Sequence, residues 1–174
     1  MVHADADWLA PQALETAHAL PAHCYAEPAF HTIDRNAVFA RSWQLVAHAE
    51  QVSQLGDHAL AQIGAMPLLV VRGDDGEVRA LHNVCRHRAG PLADCDGRAA
   101  KSLVCRYHGW TYALDGALRG APGMADACDF DPSSVRLPQA RIAQWQGLVF
   151  AVLADDAPPF DEVVAGIDAR LPQP

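Results

Sequence analysis

Two short stretches, "NVCRHRAG" at residues 83–90 and "VCRYHGW" at 104–110, constrain this 174-residue chain more than any other feature. Each sets a thiol beside an imidazole, Cys85 with His87 and Cys105 with His108, and seventeen residues separate the two pairs. A glycine follows each pair, Gly90 and Gly109. Glycine lets a backbone turn tightly and approach a ligand, so two such loops can close on one metal centre from opposite sides. Zinc accepts two sulfurs and two nitrogens, but zinc modules usually group Cys with Cys and His with His. The mixed pairs suit a dinuclear iron–sulfur cluster better, one iron taking both thiolates and the other both imidazoles. Two ferric ions, two sulfides and two thiolates sum to no net charge, whereas four thiolates would leave an excess of negative charge. An electron is added more easily to the neutral centre, so exchanging two Cys for two His raises the reduction potential. Such a site carries one electron and does no bond chemistry of its own. A structural zinc module that binds a protein partner remains the alternative, and metal content separates the two.

The residues around these loops read as a mostly β domain with helical arms. "MPLLVVRGDDGEVRALHNV" gives two strands about the Asp75-Gly76 turn, with Val78, Ala80 and His82 alternating against Arg79 and Leu81. "KSLVCRYHGWTYALDGALRG" gives a further hairpin pair turning at His108-Gly109 and Asp115-Gly116, and "ARIAQWQGLVFAVL" a strand, an interruption at Gly147 and a buried strand. The alanine-rich first twenty residues are expected to be helical up to Pro21. A second helix is expected over 32–43, capped by Asp34, with Val38, Phe39 and Trp43 on one side. The end, "PPFDEVVAGIDARL", is expected to form a helix with Phe160, Val163, Val164 and Ile167 at helical spacing. A formal charge of −8, from 13 Lys/Arg against 21 Asp/Glu, argues against a nucleic-acid partner. No apolar run approaches a membrane span, and the acidic start "MVHADADWLA" does not read as a signal peptide. A cytoplasmic protein is expected. Five cysteines is an odd number, and Cys24, Cys95 and Cys128 lack partners at ligand spacing, which reads as ordinary small thiols.

The motifs "NVCRHRAGPL" and "VCRYHGWTYALDG" resemble those of the Rieske [2Fe–2S] domain, and their flanks resemble the large (alpha) subunits of Rieske non-haem iron oxygenases of the ring-hydroxylating dioxygenase type. "FARSWQLVAHAEQVSQLGDH" and "WQGLVFAVL" extend the likeness over most of the chain. The resemblance implies an antiparallel Rieske fold: an N-terminal helical arm over 1–42, the [2Fe–2S] β domain over 43–157, and a helix over 158–174 leading toward a catalytic domain beyond the chain. It implies Cys85 and Cys105 as ligands of the buried iron, and His87 and His108 as ligands of the outer one. Respiratory Rieske proteins carry an extra cysteine in each loop; the matching positions here are Gly90 and Tyr107, which cannot form that disulfide. Trp110 stands where those proteins place a serine that donates to a sulfide. Fewer hydrogen bonds to sulfur stabilise the reduced state less, so the expected potential is low for a Rieske centre, near ~−150 mV.

The same likeness suggests roles for neighbours. Tyr112 is expected to donate to a cluster thiolate, and "RGAPGM" (119–124), with Pro122, to shield the cluster. Arg86 and Arg88, flanking His87, are expected either to help dock a partner or simply to be solvated. His82 is expected to be a packed strand histidine rather than a ligand. In these oxygenases a second, mononuclear iron is held by two histidines and a carboxylate. The spacing of that motif occurs once here, at Glu15, His18 and His23, but it precedes the cluster loops and Pro21 would break its helix. It reads as coincidence, and the mononuclear Fe(II) is expected only in the catalytic domain beyond this chain. The expected partners are therefore a reductase or ferredoxin as donor and an oxygenase catalytic domain or neighbouring subunit as acceptor. The acidic surface suggests a donor with a basic docking patch. A stand-alone Rieske-type ferredoxin is the runner-up, disfavoured by the two arms. On either reading, the chain alone transfers electrons. The substrate, whether aromatic ring or quaternary amine, is not legible in these residues.

Overall fold

A computed structural model describes residues 11–170. The apolar, β-branched run Met66–Arg72 explains most of the architecture, because a strand buried on both faces must lie between two packed layers. This strand, β3, pairs antiparallel with β2 (His58–Ile63) and with β4 (Val78–His82). β4 continues to β8 (Gln139–Trp145), β8 to β9 (Leu148–Val152), and β9 to β1 (Gln44–His48). The resulting sheet has the order β1-β9-β8-β4-β3-β2, and its end strands β1 and β2 pack together, curling it almost into a barrel. A smaller antiparallel sheet, β5 (Leu103–Val104), β6 (Thr111–Tyr112) and β7 (Leu118–Gly120), stands against one face.

Alternation along β3 and β4 feeds two cores. Leu68, Val70 and Ala80 point into the barrel, where they meet Ile63, Val52, Val149 and Ala151. Leu69, Val71 and Leu81 point the other way, into a cluster with Cys85, Cys105, Trp110, Tyr112 and Leu114. Leu81 is therefore fully buried rather than facing outward with Arg79, because the small sheet covers the face that alternation alone leaves to solvent.

The arms differ from their sequence reading. Residues 1–10 lie outside the described residues, and over 11–20 there is only one 3₁₀ turn, Leu14–Thr16, with no buried side chain. A short helix α1 (Ala22–Ala26) follows Pro21. The next helix, α2, starts at Pro28 and runs to Ile33, since proline at the first helical position has the required φ and no N–H to lose. Asp34 thus continues helical backbone and caps nothing; a π-type turn over Asp34–Val38 and a 3₁₀ turn over Phe39–Arg41 complete the segment. Val38 and Phe39 remain substantially exposed. At the other end α3 (Phe160–Asp168) buries Phe160 and Val164 and leaves Val163 and Ile167 half exposed. Phe160 packs on Trp43 and Phe150, and Trp145 Nε1 donates to Asp168 Oδ1 at 2.9 Å, so this helix is fastened to β1, β8 and β9. Among the described residues no helix is long and apolar enough to cross a membrane.

Candidate metal centre

The two motifs occupy the loop leaving β4 and the tight loop between β5 and β6. Both close in the same way. Gly90 C=O accepts from Cys85 N–H at 2.8 Å and Cys85 C=O from Ala89 N–H at 3.0 Å; Cys105 C=O accepts from Gly109 N–H at 2.9 Å and Trp110 C=O from Cys105 N–H at 2.9 Å. Each cysteine is thus the hub of its loop. Gly109 needs its glycine, at φ +75°, and Ala89 accepts a left-handed φ of 56° next to Gly90.

The loops face one another. A Cβ on Gly90 would stand 3.0 Å from Cys105 Sγ and 3.3 Å from Tyr107 Cβ, so this glycine is the space in which the second thiol sits. The His87 and His108 rings approach to 4.7 Å between centroids, edge to face. Cys85 and Cys105 are 3 % and 2 % exposed, inside the apolar cluster beneath the loops. His87 and His108 are only partly buried. Thiols below and imidazoles above is a polar arrangement: sulfur in the core, imidazole rings nearer the surface.

Neighbouring groups hold this arrangement. The Tyr112 hydroxyl is fully buried, 3.2 Å from Cys85 Sγ, and accepts from Arg86 N–H at 3.0 Å. Either atom of the Tyr112–Cys85 pair can supply the hydrogen while the sulfur is a thiol; a thiolate sulfur can only accept it. Burial, with Cys85 next, pushes the Tyr112 phenol well above its usual range, so it stays a donor at all ordinary pH. The Trp110 indole stacks on the His87 ring at 4.9 Å and 6° between planes, and Phe130 packs against Trp110 at 5.7 Å between centroids, tilted by 50°. Tyr107 lies on His108 at 3.8 Å between ring centroids. Pro122 sits over the second turn, 3.5 Å from where a Cβ on Gly109 would be, which puts the 119–124 segment across that loop. Burial, and after it the charges of His87 and Arg88, lowers the His108 pKa and favours a neutral imidazole. His82 is half-buried beside Arg86, and its pKa is lowered first by burial.

Two supports were not anticipated from the sequence. Asn83, buried just before the first motif, donates to Ala93 C=O at 2.8 Å and accepts from Leu92 N–H and Ala93 N–H at 2.8 and 3.1 Å. It pins the return of the first loop; a polar residue at the inward end of an apolar strand was the available signal. Asp57, also buried, accepts from Gln54 N–H, Arg98 Nη1 and Ala99 N–H. Gly56 and Gly97 let the chain between the motifs lie against β2, since a Cβ on either would overlap Ala100 or His58.

The residues present fit a [2Fe–2S] group. His87 Nδ1 is buried with no hydrogen-bond partner, an orphan that ligation would satisfy. Two thiols in an apolar cluster could supply the pair of anions and two imidazoles the nitrogens, with Gly90 keeping the Cys105 sulfur clear. Among the described residues Glu15, His18 and His23 are not brought together as a metal-binding group.

Comparison with known proteins agrees with this chemistry. The family model described as "Rieske [2Fe-2S] domain" matches residues 42–143. The glycine betaine monooxygenase oxygenase subunit of Chromohalobacter salexigens is 38% identical over 155 residues, covering 88% of this chain and 34% of that protein. The chloroplastic choline monooxygenase of Beta vulgaris is 37% identical over 131 residues, covering 75% of this chain and 29% of that protein. The crystal structure of the apo form of a quaternary ammonium Rieske monooxygenase superposes with a TM-score of 0.81 at 28% identity, covering 87% of this chain and 44% of that one. The chain thus spans about a third of the length of these two curated relatives. By family match, fold and relatives, the chain belongs to the Rieske [2Fe–2S] domain family, in the form found in Rieske oxygenase subunits, with a [2Fe–2S] cluster as cofactor and one-electron transfer as its role.

Proposed function

We propose that Cys85 and Cys105 hold one iron and His87 and His108 the other, and that the chain passes electrons from a reductase or ferredoxin to the mononuclear non-haem iron of an oxygenase. The observation that carries this reading is the cross-loop packing of Gly90 on Cys105 Sγ, with both thiols buried and the orphaned His87 Nδ1 above them. When bound, the group supplies a one-electron relay. The protein's own work is to position it. Tyr112 donates toward Cys85 Sγ, Trp110 fixes the plane of His87, and Pro122 packs over the second loop. In this reading residues 1–42 form an arm, 43–157 the cluster domain, and 158–174 a segment, with α3 over Phe160–Asp168, leading toward catalytic residues, all within the cytoplasm.

The substrate class we infer is a quaternary ammonium compound. Support comes from the relatives named for glycine betaine, choline and quaternary ammonium substrates, each matching most of this chain. The test is dioxygen uptake by the oxygenase that carries this chain, supplied with a reductase, and offered glycine betaine, choline or an aromatic hydrocarbon. Uptake coupled to loss of a quaternary amine is the expected result. Coupling to the hydrocarbon alone would overturn the substrate class, and a chain that cycles electrons with no oxygenase partner would favour a free-standing carrier.

A further inference from the structure

The proposed ligands His87 and His108 look out on surfaces of different character. His108 is covered by Tyr107, itself 63 % exposed, with exposed Pro122 over the same loop. An apolar and aromatic rim of this kind suits a lasting protein contact. On the His87 side a cleft of about 360 Å³ opens between the first loop and the ends of β3 and β4. Met66, Val84 and Pro138 give it apolar walls, and His87, Arg86 and Arg88 line its loop side. Both arginines are exposed, and among the described residues neither is paired with a carboxylate. Several other exposed arginines are held by aspartates, among them Arg98 by Asp57 and Arg106 by Asp94, while Arg72 and Arg141 bond backbone carbonyls. Arg86 and Arg88 thus put two guanidinium groups without a carboxylate into one cleft beside a proposed redox ligand, on a chain of formal charge −8.

We propose that the Arg86–Arg88 cleft is the docking site of the electron donor, and that the donor is an acidic protein that inserts carboxylate side chains between the two arginines. Electron carriers bind briefly through small interfaces and depend on charge for their rate of encounter, which is what unpaired arginines provide and an apolar rim does not. Guanidinium groups match carboxylates two bonds at a time and stay charged at any relevant pH. The electron balance is simple: the donor is oxidised by one electron, this centre is reduced by one, and no bond is made or broken. Net charge alone pointed to a basic donor; the charge at the site reverses that expectation. The inference rests on the ligand assignment above, because His87 must be the point of entry.

The test is stopped-flow reduction of the cluster-loaded protein by a pre-reduced, acidic plant-type [2Fe–2S] ferredoxin across a range of ionic strength. Arg86→Gln/Arg88→Gln is compared with wild type and with Arg41→Gln, an exposed arginine paired with Asp156. The double variant is expected to lose about tenfold or more of the low-salt rate and most of the salt dependence, while Arg41→Gln retains both. Reduction potentials and EPR spectra of all three proteins are recorded alongside. An unchanged rate, or a loss fully explained by a measured change in potential, overturns the proposal. So does break-up of an oligomer in the double variant, which would make the cleft a subunit contact. Failure of the underlying assignment looks different: a protein without colour or EPR signal before any rate is measured.

Discussion

Replacing Tyr112 by Phe removes one oxygen and little else. The ring stays within the core cluster, while the hydroxyl 3.2 Å from Cys85 Sγ is lost. A hydrogen bond to a charged acceptor contributes about 1.5–3 kcal/mol. Reduction adds negative charge near that sulfur, so the bond strengthens on reduction, by about 1 kcal/mol if roughly half its strength responds. For a one-electron couple a tenfold change in equilibrium is 59 mV and about 1.4 kcal/mol, so Tyr112→Phe should lower the potential by about 40 mV. The same change leaves the part-buried Arg86 N–H without its acceptor, at a cost of about 0.5–1.5 kcal/mol in stability. Redox titration followed by circular dichroism, with thermal melts of the same samples, reads both effects. A potential that is unchanged or raised, in a variant that still loads its cluster, would refute the reasoning, because the hydroxyl would not be donating to a ligand.

Three other substitutions probe the supports. Gly90→Ala pushes a methyl to within 3.0 Å of Cys105 Sγ, so cluster loading should fall sharply while the apoprotein keeps its far-UV spectrum; full loading would contradict the packing. Trp110→Ala opens space beside His87 and should cost about 3–5 kcal/mol, seen as a lower Tm, with a broadened EPR signal as the imidazole loses its stacking plane. Asp57 gives a pH dependence. Burial works to raise its pKa, but hydrogen bonds from Gln54, Arg98 and Ala99 outweigh it and hold the carboxyl below its ordinary 3.8. A depressed folded pKa stabilises the fold above the unfolded value, and this contribution is lost as the pH falls through the folded one. Wild type should therefore lose Tm below about pH 3.8 more steeply than Asp57→Asn, which should start lower and stay flatter; parallel curves would show that Asp57 is not the group concerned.

How far the residues announced their structure follows the physics of each feature. The cluster loops were legible because a metal centre demands particular side chains at short, fixed spacings, and because Gly90 and Gly109 meet local steric requirements. The strands were legible from their apolar runs and their Gly-containing turns. Alternation put Leu81 on the face opposite Ala80, as the structure does, but could not foretell its burial, which depends on the small sheet folding back, an event distant in sequence. The N-terminal arm was read as longer helices than it forms. Alanine content favours a helix only weakly when no apolar face packs on anything, and Leu14 is almost wholly exposed. Asp34 looks like a cap locally, but Pro28 had already started the helix six residues earlier. Asn83 and Asp57 escaped notice because most of the groups they bind are brought to them from nine or more residues away.

The central claim is that two imidazoles, His87 and His108, share one iron of the centre. Pulsed EPR on the dithionite-reduced protein, prepared with ¹⁵N-histidine, tests it most directly. The account predicts a rhombic signal of average g below the free-electron value, carrying two strongly coupled histidine nitrogens, with one lost in each of the variants His87→Cys and His108→Cys. A signal without histidine couplings, or a colourless protein holding one zinc and no sulfide, would contradict it.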